Sequence, residues 1–168
     1  MKKIKLCILL CCTVFASLYA ESEPTDVTGL AFDYALVGRK HDFGISVGIA
    51  SPWLFHNKLG IRVDAAGFFP NPQRSRPYYM LNLSVMGGTL MQTANVRLYG
   101  GGGPVFVFPA ETGEPAVRVN AEGFFGFEFF MAKRSADFSI FTEMGGGGLG
   151  FTAKAGLRYT IPMLSRSK

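Results

Sequence analysis

The feature that most restricts the fold is a long run near the C-terminus in which apolar and polar side chains alternate. Residues 149–161 carry apolar side chains at every odd position, from Leu149 to Ile161, while the even positions hold glycine, threonine, lysine and arginine. Strict alternation over this length predicts a β-strand with one apolar and one polar face. A strand rises about 3.3 Å per residue, so this run is long enough to cross the hydrocarbon layer of a membrane at a tilt.

The same alternation recurs along the chain and predicts eight strands joined by short links. The expected strands cover residues 28–37, 42–50, 59–69, 78–86, 95–108, 117–130, 137–145 and 149–161. The link at 38–41 is short enough for an antiparallel hairpin, and clusters of glycine and proline separate most of the other strands. A meander of eight strands loses its two free edges if it closes. We therefore expect an all-β fold, an eight-stranded antiparallel up-and-down β-barrel.

The N-terminus has the three-part layout of a secretory signal peptide. Lysines at positions 2, 3 and 5 precede an apolar run from Leu6 to Tyr19, and small residues lie near position 20. We expect a cleaved leader over residues 1–20 and a single barrel domain over residues 21–168. All three cysteines lie in the leader, so no disulfide and no thiol-based metal site is expected after it. Because three lysines of the leader contribute to the net charge of +5, that charge gives no argument for a nucleic-acid partner.

The charged residues of the strands indicate which face is turned inward. The polar row is filled with glycine, alanine and serine, which suit a crowded interior better than a solvated surface. The apolar row carries no charge, as a lipid-facing row requires, since one Lys or Arg at mid-bilayer costs about 2–4 kcal/mol. Acids and bases on the polar row are equal in number, and matched charges can form a hydrogen-bonded network inside a barrel. The expected lumen charge network consists of Asp33, Arg62, Asp64, Arg97, Arg118, Glu122, Glu128, Glu143, Lys154 and Arg158.

The last strand also contains a motif. Its residues Lys154, Gly156, Tyr159 and Ile161 follow the order polar, glycine, aromatic, hydrophobic, which resembles the C-terminal assembly signal of bacterial outer-membrane β-barrels. With the leader and the strand pattern added, the chain resembles the small eight-stranded outer-membrane barrels of the OmpX, OmpA-transmembrane or OmpW kind. That resemblance implies a transmembrane barrel in the bacterial outer membrane, surrounded by outer-membrane lipids and delivered by periplasmic chaperones and the barrel assembly machinery. It also implies periplasmic termini and outward links at 38–41, 70–77, 109–115 and 145–148.

Two kinds of function follow for such a barrel: a narrow channel for a small solute, or a structural or surface-interaction barrel with a charged lumen. Eight strands leave an interior just wide enough for side chains, and small residues in the lumen leave some space, so the sequence does not separate the two. Arg39, Lys40, Arg74 and Arg76 would give a basic outer rim, suited to anionic head groups or simply solvated. The alternative function is a soluble secreted or periplasmic lipocalin-like barrel that binds a small hydrophobic ligand.

Catalysis is not expected from this sequence. The two histidines, His41 and His56, fall at opposite ends of the second strand, and neither begins the His-x-Ser pair of a lipid A deacylase barrel. The tetraglycines at 100–103 and 145–148 are not followed by the Lys-Ser or Lys-Thr of a phosphate-binding loop, so they fit bends in a barrel wall better. We expect no catalytic residue, no metal site and no cofactor.

Overall fold

The computed structural model describes residues 29–39, 42–55, 58–69, 77–91, 95–109, 118–131 and 138–162. Within them the strands are β1 (Gly29–Arg39), β2 (Asp42–Ala50), β3 (Leu59–Phe69), β4 (Tyr78–Met91), β5 (Val96–Pro109), β6 (Arg118–Phe130), β7 (Phe138–Gly147) and β8 (Gly150–Pro162). Each strand pairs antiparallel with the next, and β8 pairs with β1 to close the sheet. The expected eight-stranded antiparallel barrel is confirmed. No helix in this part of the chain is long and apolar enough to cross a membrane.

Alternation along the strands separates an apolar outer face from a polar inner face. On β2, Phe43, Ile45, Val47 and Ile49 point outward and are each about half exposed, whereas the glycine, serine and alanine between them are buried. The interior is the reverse of a soluble core, because its largest fully buried side chains include three arginines. The exposed large apolar side chains lie on seven of the eight strands, and on β5 the outward side chains Leu98 and Phe106 are half-buried, so an apolar belt surrounds the barrel.

The two ends of the barrel differ in what they contain. We call the end at which β1 begins and β8 ends the terminal end; the connection between β2 and β3 also lies there. The other end, which holds the β1–β2 link and the β7–β8 turn, is called the hairpin end. The predicted leader, the tail after β8, and the rim residues Lys40, Arg74 and Arg76 lie outside the described residues.

β4 is longer than its sequence pattern predicts. The expected turn began at Gly87, but the strand continues to Met91 and pairs with β5. Glycine is required there by a close approach, since a Cβ on Gly88 would lie 2.9 Å from the Leu98 carbonyl oxygen and 3.0 Å from the ring of Trp53. The glycines therefore extend the strand instead of ending it.

The β7–β8 turn also differs from expectation. Gly145 to Gly147 belong to β7, and the turn itself is formed by residues 148 and 149. Leu149, expected on the lipid-facing row, packs instead against the cluster of buried apolar side chains inside the barrel that includes Phe68 and Met80. Because Leu149 precedes the strand, the parity of β8 does not apply to it.

The seam between β1 and β8 closes the barrel. Asp33 lies opposite Arg158 and Ala35 opposite Gly156 in this register. A Cβ on Gly156 would overlap the carbonyl oxygen of Tyr34, so only glycine allows the two strands to approach this closely. The glycine of the predicted assembly motif thus has a structural role at the seam.

Candidate functional site

The centre of the barrel is crossed by Arg62 on β3. Its Nη1 and Nη2 both donate to the Glu143 carboxylate on β7, the second at 3.0 Å. Its Nε lies 2.7 Å from an Asp64 oxygen, and Nη1 lies 3.8 Å from an oxygen of Asp33. One buried guanidinium therefore contacts three carboxylates and connects strands on opposite sides of the lumen.

Arg158 on β8 makes a second centre next to the first. It donates to both carboxylate oxygens of Asp33, at 2.6 and 2.9 Å, in a bidentate pair. Its Nη1 donates to Glu128 on β6 at 3.0 Å. Glu128 also accepts from Arg97 at 3.1 Å and from the hydroxyl of Ser139 at 2.7 Å. Two arginines and a serine thus neutralise and solvate one carboxylate that is fully buried.

Two further bonds complete the network. Lys154 on β8 donates to Asp64 on β3 at 2.8 Å, and the Tyr99 hydroxyl donates to Glu143 at 2.7 Å. Isolated buried charges cost several kcal/mol each, so a charged interior is stable only when every carboxylate has its donors. Asp33, Asp64, Glu128 and Glu143 each contact a guanidinium or an ammonium group.

Arg39 differs from its prediction as a basic rim residue. Its side chain is buried in the lumen, where it pairs with Glu122 on β6, donates to the Thr152 hydroxyl at 3.2 Å and lies over the ring of Phe68. The reason is that β1 continues two residues beyond its expected end, so position 39 keeps the inward parity of the strand.

Arg118, expected in the network, lies exposed at the first residue of β6. The inward parity is right, but the position is too close to the hairpin end to be enclosed. Arg39 takes its place in the charge balance. The inward acids Asp33, Asp64, Glu122, Glu128 and Glu143 therefore face the bases Arg39, Arg62, Arg97, Lys154 and Arg158.

At the terminal end, Trp53 lies in the interior of the barrel, a position that the sequence analysis did not assign to it. It lies in the β2–β3 connection, is 8% exposed, and its ring lies 4.6 Å from the Arg97 guanidinium and edge-on to Tyr99. A cation over a tryptophan face is an attractive contact, and here it is shielded from water. The Ser51 N–H donates to the Ile61 carbonyl, and the Gly88 N–H donates to the Lys58 carbonyl, so the connection is bonded to β3 and β4. The one sequence signal for this inward position was a single tryptophan in a short link between two strands.

The residues of the predicted assembly motif are spread over both faces of β8. Lys154 points inward to Asp64, whereas Tyr159 and Ile161 point outward and are 37% and 46% exposed. The Tyr159 ring packs against Phe138 with 4.8 Å between ring centres. Their role in assembly stays a prediction.

The described residues offer no metal centre, because they contain no group of three or more His, Cys, Asp or Glu placed to hold an ion. The carboxylates of the interior are occupied by guanidinium, ammonium and hydroxyl donors. Chemically, this arrangement pairs the buried charges of the described strands with one another.

An apolar belt outside, a charged interior and eight closed strands define a small outer-membrane β-barrel fold. No known family model matches the sequence, and no curated protein does. Among solved structures, the N-terminal β-barrel domain of Pseudomonas aeruginosa OprF is similar, with a TM-score of 0.59 and 10% identity over 80% of this chain and 98% of that one. Neisserial surface protein A, NspA, gives a TM-score of 0.54 and 12% identity over 80% of this chain and 96% of that one.

Proposed function

We propose that this chain is an integral protein of the bacterial outer membrane, with its apolar belt in contact with lipid. A strand of 11 residues such as β3, tilted by about 40°, covers a height of roughly 25 Å, which matches the hydrocarbon layer of such membranes. The likeness to solved outer-membrane barrels supports the same location. A lipocalin-like barrel would expose its charges and shield its large apolar side chains from the surface, whereas here Arg62, Arg97 and Arg158 are fully buried and apolar side chains are exposed along the strands.

The barrel works as a closed structural or surface-interaction protein rather than as an open channel, and the role is non-enzymatic. The observation that carries this is the Arg62–Glu143 pair, which crosses the lumen from β3 to β7. Trp53 fills the terminal end, and the Arg39–Glu122 pair crosses between β1 and β6 nearer the hairpin end. Three successive closures along one narrow lumen favour a filled interior.

Export by the leader, escort by periplasmic chaperones and insertion by the barrel assembly machinery belong to the same proposal. The motif of Lys154, Gly156, Tyr159 and Ile161 supports it. Outer-membrane lipids are the partners of the apolar belt, and a small solute is a further candidate partner.

Planar-bilayer conductance tests the closed interior. The refolded protein is expected to give no steady current, whereas a variant that removes all three closures, by Trp53→Ala, Arg62→Ser/Glu143→Ser and Arg39→Ser/Glu122→Ser, is expected to conduct if it folds. Arg118→Ser is the matched control, because Arg118 is exposed. A steady current from the unsubstituted protein would show a channel instead.

The membrane location has its own test. The protein is expected to need detergent or lipid to fold and to migrate differently on a gel before and after boiling, because a closed barrel has no free edge from which to unravel. A water-soluble folded monomer without detergent would contradict the proposal and favour the lipocalin-like alternative.

A further inference from the structure

A cavity of about 60 Å³ lies inside the barrel, on the hairpin side of the central network. One wall is formed by network residues such as Arg62, Asp64 and Lys154. The opposite wall contains Phe68, Met80, Glu122 and Thr152, which are the contacts of Arg39. The cavity therefore lies between two ionic layers, and we call it the chamber.

Apart from Arg62 Nε and Glu122 Oε1, which lie in ion pairs, two polar groups in the chamber wall have no hydrogen-bond partner within the protein. They are the hydroxyl of Ser46, a residue only 3% exposed, and the side-chain oxygen of Asn82. Buried polar groups in proteins are almost always hydrogen-bonded, so these two call for a partner that occupies the chamber. The volume gives room for roughly four molecules of water size at about 15 Å³ each.

The chemistry of the walls limits what the occupant can be. The acids and bases around the chamber are already paired with one another, so an added ion would have no opposite charge to meet. Asn82 offers an acceptor oxygen, and Ser46 can donate or accept. Phe68, Met80 and Phe124 line the remainder with apolar surface. A small neutral molecule with N–H or O–H donors satisfies all three conditions.

The way into the chamber is one-sided. Toward the terminal end the path meets the central network, then Arg97 held between the rings of Trp53 and Phe130 at 4.6 and 5.1 Å. Toward the hairpin end, the described residues place one ionic layer, Arg39 with Glu122, beside the apolar cluster that includes Phe68 and Leu149. Entry from the hairpin end therefore crosses a single ionic layer, whereas the other route crosses the central network and Trp53.

We infer that the chamber binds small neutral hydrogen-bonding molecules of the size of acetamide, with water as the ordinary occupant, and that they enter and leave by the hairpin end. The inference rests on the proposed closed barrel and adds a ligand class and a direction to it. The same barrel would thus hold a solute without passing it across the membrane.

Cysteine labelling tests two things together: access to the chamber, and the block that Trp53 forms at the terminal end. The full chain carries cysteine only at positions 7, 11 and 12, and changing these to serine gives a cysteine-free background. Ser46→Cys places a thiol in the chamber, and Ser139→Cys places an equally buried one at the terminal-end side of the network, since Ser139 is 1% exposed and donates to Glu128. Each variant is refolded in lipid vesicles, checked by gel mobility without boiling, and treated with the small neutral reagent methyl methanethiosulfonate.

Modification of Ser46→Cys is expected to be faster than that of Ser139→Cys by roughly tenfold or more, because thiol reactivity follows access. Adding Trp53→Ala should accelerate labelling at position 139 and leave position 46 unchanged. Phe55→Ala, on the exposed side of the same connection, is the control and should change neither. Acetamide should slow labelling at position 46 without affecting a free thiol in solution.

Each outcome of the labelling experiment tests one part of the inference. Equal protection of both thiols would overturn the chamber as an accessible site. An unchanged labelling rate at position 139 after Trp53→Ala would show that Trp53 does not block the terminal end. Labelling at position 46 without protection by acetamide would leave water alone as the occupant and overturn the solute class. Rapid labelling at both positions in the otherwise unchanged barrel would instead show that the proposed closed interior has failed.

Discussion

Replacing Arg62 with methionine tests whether the central network stabilises the barrel. The substitution keeps most of the side-chain volume but removes the charge that faces Glu143, Asp64 and Asp33. Each close pair contributes a gross attraction of about 5 kcal/mol at an effective dielectric constant of about 20, and the desolvation of the guanidinium offsets much of the total. Without Arg62, Glu143 keeps the Tyr99 hydroxyl and Asp64 keeps Lys154, so two buried carboxylates are left short of positive charge. The expected loss is about 3–5 kcal/mol in the free energy of unfolding.

The matched control is Arg118→Met, which removes the same charge from an exposed position and should cost about 1 kcal/mol or less. Unfolding by urea in lipid vesicles can be followed by the fluorescence of Trp53, the single tryptophan of the chain. Adding Glu143→Gln to Arg62→Met removes one unpaired charge and keeps an acceptor for Tyr99, so the double variant should be more stable than Arg62→Met alone. Equal stability of Arg62→Met and Arg118→Met would refute the reasoning, since it would mean that the network contributes nothing.

Three further expectations concern the wall of the barrel. Leu83→Arg, in the middle of β4, should reduce folding into vesicles by about 2–4 kcal/mol, whereas Val119→Arg, close to the end of β6, should cost about 0–1 kcal/mol; equal losses would place the bilayer wrongly. Gly156→Ala should prevent closure because its Cβ overlaps β1, while Gly123→Ala, with 3.6 Å to the nearest atom, should leave gel mobility unchanged; a folded Gly156→Ala barrel would contradict the seam geometry. Tyr159→Ala should lower the amount recovered in the outer-membrane fraction, whereas deleting the tail after β8 should be tolerated, and the reverse result would move the assembly signal into the tail.

The strands and their facing could be predicted because a period of two depends only on local sequence. On β2 the expected and observed bounds agree, since a polar or charged residue begins the run and a proline follows closely on its end. On β4 they do not, because glycines at 87 and 88 read locally as a turn. Only the packing of Gly88 against Trp53 and Leu98, which is tertiary, makes them strand residues.

Parity indicates which charged residues face inward, but it fixes neither the full membership of the interior nor the pairings. Parity alone places Asp33 and Arg158 on the inner face, and it cannot say that they lie opposite each other, since that depends on the register of the first and last strands. Arg39 was expected at the rim and is enclosed, whereas Arg118 was expected inside and is exposed. Both lie at strand ends, where a shift of two residues decides whether a side chain is enclosed. Trp53 follows no strand period, so its inward position has no signal in the alternation.

The bond between Arg158 and Asp33 also affects how fast the barrel can fold. Its two residues are separated by 125 positions, and the strands that hold them are the last and the first of the barrel. Contacts between residues so far apart form slowly, because a long loop must close before they are gained. Until β8 has been released and docked, Asp33 lacks its bidentate partner and β1 lacks its second neighbour. In the proposed export pathway the chain would therefore have to stay unfolded until its last strand is available, so the rate of folding would limit insertion more than the final stability does.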